Sequence, residues 1–412
     1  MRNSNFRNLF IGRLITNAGD SIYLVTAMWL VYQVGGSAFY TGLAGALTLL
    51  PKAMQFMIGP LIDQWSLRKI MTTTQLLQFF LVLLIPILAY LNLLSITILL
   101  IIMPVLALIE EFAYPAQTVA IPQILEKDQL PKGNSYMVFA YQGIDLVFNA
   151  LAGVLVTVFS ATLIFLIDSL TFIIAALFFY LLKLPNREST ILNGEKAGTG
   201  QSITIYKNQL KEGILYVRQS ILSKYLIVLV LINFSIGINI AVLPVYAGDR
   251  GGAYMYGFFM ASVAAGTLLG SLSGSVFNRY PLGKLYMFSY LLTSILWIVS
   301  IVIPSNLFSV ILFGLAWFPI GVTSVLLLST LQQVIPAHLL ARTFTVLESV
   351  SAIAMPLGSL IGGTITFLLT PSAVLMLAGF IFLLIAIVWF LLTDLRTLPQ
   401  SSVIKPEKYG LT

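Results

Sequence analysis

Twelve separate runs of about 20 apolar residues divide this sequence, and no other feature restricts its fold as strongly. They lie near residues 9–33, 40–62, 70–92, 95–117, 134–158, 161–182, 222–246, 254–277, 285–303, 307–330, 343–368 and 371–393. At 1.5 Å per residue such a run, coiled as an α-helix, spans a hydrocarbon core of about 30 Å and satisfies its own backbone hydrogen bonds there. The expected fold class is therefore an all-α polytopic membrane protein with 12 transmembrane helices. Composition agrees: 58% of the residues are hydrophobic and 9% charged, against about 25% charged in a soluble domain, which excludes water-soluble folding. The opening MRNSNFRNLF runs directly into the first apolar segment with no small-residue cleavage site, so that segment is expected to be a retained span and not a signal peptide.

An even number of spans puts both termini on one side of the membrane. Loops on that side carry Arg68, Lys69, Lys127, Lys132, Arg279, Lys284 and Arg342, whereas the opposite loops carry only Asp249 and Arg250. Basic residues collect on the cytoplasmic side, so both termini are expected in the cytoplasm and the protein in the cell membrane. The net charge of +7 then records orientation, and no nucleic-acid partner is needed to explain it. Cys is absent and His occurs once, so the ligands that most zinc, copper and iron–sulfur sites require are missing, and no metal or other cofactor is expected. His338 falls in a cytoplasmic turn without a nucleophile or metal partner, which argues for a transporter and against an intramembrane enzyme.

A polar stretch near 183–221 separates six spans from six. The organisation that follows is an N-terminal half (1–183), a cytoplasmic linker (184–221), a C-terminal half (222–394) and a tail (395–412). Within the linker, Ile203, Tyr206, Leu210, Ile214 and Val217 recur at helical spacing beside Lys207, Lys211 and Arg218, the pattern of an amphipathic helix on the inner leaflet or the bundle. GPLIDQWSLRK from Gly59 after the second span is echoed by GSVFNRYPLGK from Gly274 after the eighth. Duplicated halves with a ligand path at their interface are the expectation. Gly266, Gly270 and Gly274 form a small-residue face suited to close helix packing.

An ionised side chain at the centre of a membrane helix costs at least about 2.5–3.5 kcal/mol, so each one marks a candidate site. The spans hold Arg13, Asp20, Lys52, Glu110, Glu111, Asp145, Asp168 and Glu348. By helical rise, Asp20, Lys52 and Asp145 sit about 15–16 Å from the cytoplasmic end, near the midplane, and the glutamates and Arg13 about 6–10 Å in. Arg13, Asn17 and Asp20 share one face of the first span at i, i+4 and i+7. Arg13 either snorkels to the interface or joins that face; Asp20 either forms a fixed pair, with Lys52 for example, or serves transport. Six acids against two bases cannot all stay ionised in low dielectric, so some must hold or exchange a proton. Glu110 and Glu111 point about 100° apart, so one of them is expected to bond a neighbouring helix. Asp168 suits an interhelical role, and Glu348 a contact with Arg13 or the loop bases near the cytoplasmic mouth. Tyr23, Trp29, Tyr141, Tyr246, Trp297 and Trp317 belong either to a substrate cavity or to interfacial belts.

The turn G-x-L-x-D-x-x-x-x-R-K, carried by Gly59, Leu61, Asp63, Arg68 and Lys69, resembles the signature of the major facilitator superfamily. FRNLFIGRLITNAGD, AYPAQTVAIPQIL, LIDSLTF, KEGILYVRQ and LARTFTVLESVSAIAMPLGSLIGG resemble its branch of macrolide-efflux proteins and enterobactin-type siderophore exporters. The resemblance implies the major facilitator fold and a conformational latch that uses Gly59, Asp63, Arg68 and Lys69. One departure is Asn149 in FNALAG, where proton-driven drug exporters commonly have the proline of G-P-x-x-G-G.

No G-x-x-x-x-G-K-[ST] phosphate loop occurs, so an ion gradient is the expected energy source. The expected function is proton-coupled export of a small organic molecule, either drug- or macrolide-like or a metallophore or siderophore, by alternating access of a monomer in the lipid bilayer. The residues expected to serve proton coupling or the substrate path are Asp20, Arg13, Asn17, Lys52, Glu110, Glu111, Asp145 and Glu348. A same-fold importer or lysophospholipid flippase is the alternative.

Overall fold

The computed structural model describes residues 3–53, 65–126, 129, 130, 133, 136, 137, 139–184, 211–404 and 406–410. Gly59, Asp63, Lys127, Lys132, Ile203, Tyr206, Lys207, Leu210 and the inner end of the second span lie outside the described residues. The regular elements among the described residues are all helices. They are α1 (Ser4–Gly35), α2 (Ala38–Ala53), α3 (Leu67–Tyr90), α4 (Ile96–Ile124), a π-helical turn (Phe139–Gly143) that leads into α5 (Ile144–Val158), and α6 (Ala161–Tyr180). After the linker come α7 (Leu222–Gly251), α8 (Ala253–Phe277), α9 (Leu282–Val302), α10 (Asn306–Val334), α11 (Ala337–Ala352), α12 (Ala354–Ile365) and α13 (Pro371–Leu391). Ten helices among the described residues are long and apolar enough to cross a membrane, with α11 and α12 counting as one.

The eleventh span is broken, which apolar run length does not reveal. Pro356 has no N–H to offer the carbonyl of Ala352, and its ring crowds that carbonyl, so regular α-helical bonding lapses at Ile353, which keeps right-handed helical dihedrals (φ −62°, ψ −28°).

Polarity is inverted relative to a soluble protein. On α3, Gln75 has no exposed surface and Gln78 is buried, while Leu77, Phe80 (64% exposed) and Leu84 face outward. Thr16 Oγ1 donates to Gln75 Oε1 at 2.8 Å, and Gln75 Nε2 donates to Gln78 Oε1 at 2.8 Å. An apolar exterior over a hydrogen-bonded polar interior is what lipid as solvent selects.

The chain forms two compact units. One comprises Met1–Lys196 with Ala247–Ala261, the other Ala197–Tyr246 with Ser262–Thr412. In the first, α3 packs along α6, α1 lies against α6 and α5, and α2 lies against α4. In the second, α9 packs along α13 and α10. The third span thus pairs with the sixth in one unit as the ninth pairs with the twelfth in the other.

The aromatic residues offered as cavity or belt groups are mostly interior packing. Trp297 is fully buried, donates from Nε1 to the Leu375 carbonyl at 3.0 Å, and meets Phe313 and Trp317 in tilted ring contacts. Tyr246 is buried with its hydroxyl on the Ile301 carbonyl, and in the first unit Tyr23 and Trp29 are buried against Phe165 and Tyr256. The expected packing face on α8 is observed: a Cβ at Gly266 would meet the Gly314 carbonyl oxygen at 2.0 Å, and one at Gly270 the Phe318 carbonyl oxygen at 2.0 Å.

Residues 211–219 of the linker are helical. Of its expected apolar stripe, Val217 is buried and Ile214 exposed, and Glu212 forms an ion pair with Arg342. The tail docks on the second unit beyond α14 (Thr393–Arg396). Leu282 and Gly283, at the start of α9, donate their backbone N–H groups to the Pro399 and Leu398 carbonyls at 3.2 and 3.1 Å. Ser401 Oγ bonds Asn278 Oδ1 at 2.7 Å, the backbone N–H of Ile221 donates to the Tyr409 carbonyl at 3.0 Å, and Lys224 pairs with Asp394.

Candidate functional site

The polar face expected on α1 exists and points into the first unit. Arg13 is 4% exposed, Asn17 is buried, and Arg13 Nη2 donates to Asn17 Oδ1 at 2.8 Å. The guanidinium lies over the Tyr141 ring, 4.1 Å from its centroid. Arg13 therefore does not snorkel: its charge is held inside by an amide oxygen and an aromatic face. Its Nε and Nη1 atoms are buried with no hydrogen-bond partner.

Two turns from Arg13, Asp20 neighbours Glu110 on α4, and Arg13, Asp168 and Asp145 also act on it electrostatically. Two neighbouring carboxyl groups shielded from water disfavour a second negative charge, so sharing one proton stabilises them. The pair is thus a natural place to hold one proton against one negative charge. Among the described residues no ion pair joins Asp20 to Lys52; Lys52 is exposed and acts at longer range on Glu110 and Glu111. Of the two adjacent glutamates, Glu110 faces the α1 acid, as their angular separation demands for one of them.

The fifth span enters this network through its π-helical turn. Asn17 Nδ2 donates to the Tyr141 carbonyl at 2.6 Å, Tyr141 Oη donates to Gln117 Oε1 at 3.0 Å, and the Tyr141 ring meets Tyr114 edge-on with centroids 4.6 Å apart. Ser21 Oγ donates to Asp145 Oδ1 at 2.7 Å. Asp145 is exposed in spite of its midspan position.

Asp168 on α6 is buried and accepts from Thr171 Oγ1 at 3.3 Å. It lies where α6 crosses α1: a Cβ on Gly19 would sit 2.6 Å from Asp168 Oδ1 and 2.4 Å from Thr171 Oγ1, so only glycine permits this approach. The close approach to α1 is interhelical, whereas the Thr171 hydrogen bond to the carboxylate lies within α6.

The structure therefore gathers Arg13, Asn17, Asp20, Glu110 and Asp145, with Lys52 and Glu111 at its margin. Glu348 is exposed on α11 in the second unit. Of the latch residues, Arg68 lies over the Tyr180 ring at 4.5 Å and Lys69 is in the first turn of α3. Three participants escaped the reading of ionisable residues: Ser21, Tyr114 and Gln117. Spacing could have found the last two, because Glu110, Tyr114 and Gln117 recur at i, i+4 and i+7, the same rule that aligns the stripe on α1.

A family model described as transmembrane secretion effector matches residues 1–409. The MFS-type transporter YvqJ of Bacillus subtilis (strain 168) is 26% identical over 98% of this chain and 96% of its own length. Macrolide efflux protein A of Streptococcus pyogenes is 23% identical over 95% and 97%, and multidrug efflux pump Tap of Mycolicibacterium fortuitum 22% over 96% and 97%. Among solved structures, a bacterial homologue of the human lysosomal transporter Spinster, inward-facing and unoccupied, superposes with a TM-score of 0.72 at 15% identity, over 96% of this chain and 98% of that one. At that identity the likeness is one of fold.

Proposed function

We propose that this chain, which belongs to the transmembrane secretion effector family of the major facilitator superfamily, is a proton-coupled exporter of small amphipathic organic molecules. The observation that carries the coupling is the Asp20–Glu110 carboxyl pair beside a buried guanidinium. A proton bound there changes the local charge by one unit in low dielectric, where charge is costly, and so has leverage on conformation. Two efflux relatives support the outward direction, and macrolide- or drug-like cargo over a metallophore. Both termini and the linker lie in the cytoplasm in this reading, and the halves 1–183 and 222–394 rock about the substrate in alternating access, with Arg68 and Lys69 serving the cytoplasmic latch.

The test uses everted membrane vesicles that contain the full chain, energised with an inward-acid pH gradient and offered erythromycin. Substrate-dependent proton release is expected from the wild type and is expected to vanish in Asp20→Asn and with a protonophore. Undiminished flux in Asp20→Asn would sink the assignment of the coupling site, and protonophore-insensitive erythromycin movement would sink proton coupling itself.

A further inference from the structure

We propose that Arg13 and Asn17 are positioning residues that tie the protonation of the Asp20–Glu110 pair to the π-helical turn of the fifth span. The inference rests on the reading that this pair carries the coupled proton.

A π turn accommodates one more residue than an α-turn and leaves a backbone carbonyl poorly served within its own helix. Here the Tyr141 carbonyl is taken by Asn17 Nδ2 at 2.6 Å. The ring of the same residue lies under the Arg13 guanidinium, and its hydroxyl reaches Gln117 on α4. Residue 141 is therefore held at three points, two of them on α1. Four residues after Asn17, Ser21 grips Asp145 just beyond the turn, so α1 is fastened to the fifth span on both sides of Gly143.

Arg13 connects this clamp to the acids. It spends one donor group on Asn17 and keeps Nε and Nη1 buried without partners. Unsatisfied buried donors cost about 1–3 kcal/mol, more for a charged group, so a second position that satisfies them competes with the present one. The groups that face the clamp are Asp20 on α1, Lys52 on α2, Glu110, Glu111 and Tyr114 on α4, Asp145 on the fifth span and Asp168 on α6. Of these acids, Asp20 and Glu110 are the two on which Arg13 acts, so Asp20→Asn is expected to abolish the pH response of the clamp, and Glu111→Gln and Asp168→Asn to leave it in place. When that pair loses its proton, Arg13 gains a doubly charged partner, made of Asp20 on its own face of α1 and Glu110 on α4. Turning toward it withdraws the cation from the Tyr141 ring and the donor from Asn17. The Tyr141 carbonyl is then released, and the π turn loses the contact that favours it over an ordinary α-turn.

Hydrogen–deuterium exchange of the purified full chain in detergent tests this at pD 5.5 and 8.0, with intrinsic exchange rates divided out. Amides 141–147 of the wild type are expected to be protected at least about 5-fold more at pD 5.5. In Asn17→Ala and in Arg13→Gln the pD difference is expected to disappear. Tyr141→Phe, which keeps the carbonyl and the ring, is expected to retain it, and Tyr141→Leu to lose most of it. Equal wild-type protection at both values overturns the proposal whatever the variants do, and so does a difference that survives Asn17→Ala or Arg13→Gln. The two readings fail separately. Flux that depends on Asp20 with no exchange response removes the link and leaves the coupling site standing; Asp20-independent flux removes the coupling site.

Discussion

Arg13 illustrates how a membrane protein retains a buried charge. Moving it to the centre of a helix costs several kcal/mol, yet Asn17 and the Tyr141 face receive it within one helical turn, and two acids stand nearby. The stripe was legible in sequence because spacing alone puts residues 13, 17 and 20 on one face. The Tyr141 contact was not, because it uses a carbonyl that an ordinary α-helix would have occupied. At the same scale, glycines that look alike in sequence differ in what they touch. A Cβ at Gly266 runs into a backbone oxygen at 2.0 Å, whereas the nearest atom to one at Gly274 is in the Val325 side chain at 3.3 Å. Gly266→Val is therefore expected to destabilise the protein by about 1–3 kcal/mol or more, and Gly274→Ala to be nearly neutral. Thermal unfolding in detergent, followed by the change in intrinsic fluorescence, checks this; equal midpoints for the two variants would refute it.

Among the elements, the tail departs most from what sequence suggested. Sequence assigned 395–412 only as a tail, but its carbonyls cap the first N–H groups of α9 and its Ser401 holds Asn278, in the turn that repeats the latch sequence. That turn is tied down by the tail, and backbone capping of this kind leaves no signature in residue types. Deletion of 398–412 is expected to raise amide exchange in 278–284 and 220–225 by about 10-fold, some 1.4 kcal/mol of lost local protection, and to leave the first unit unchanged. Unaltered exchange at 278–284 would show that docking contributes nothing. Partial burial and the neighbouring Asp394 carboxylate hold the Tyr409 hydroxyl above its ordinary pKa. Its contribution to docking is thus complete below the unfolded value of about 10 and declines as the pH rises beyond it.

On the scale of the whole molecule, orientation is the property most open to direct test. The chain has no cysteine, so single introduced cysteines report without background. A cysteine at Gly252 is expected to react with an impermeant maleimide in intact cells, and one at position 280 only after permeabilisation; the reverse pattern would overturn the cytoplasmic placement of the termini. The all-helical membrane fold, the family and the candidate acids followed from sequence by itself. Length, hydropathy and charge position act through lipid, a solvent that imposes the same rules on every helix. The tertiary structure alone decided which acid meets which, that Arg13 is enclosed, that residues 139–143 ahead of α5 form a π turn, and that regular bonding in the eleventh span lapses at Ile353. Those outcomes depend on contacts between helices distant in sequence, where a hydrogen bond of 2.6 Å or a carbonyl 2.0 Å from a would-be Cβ is set by packing and not by composition.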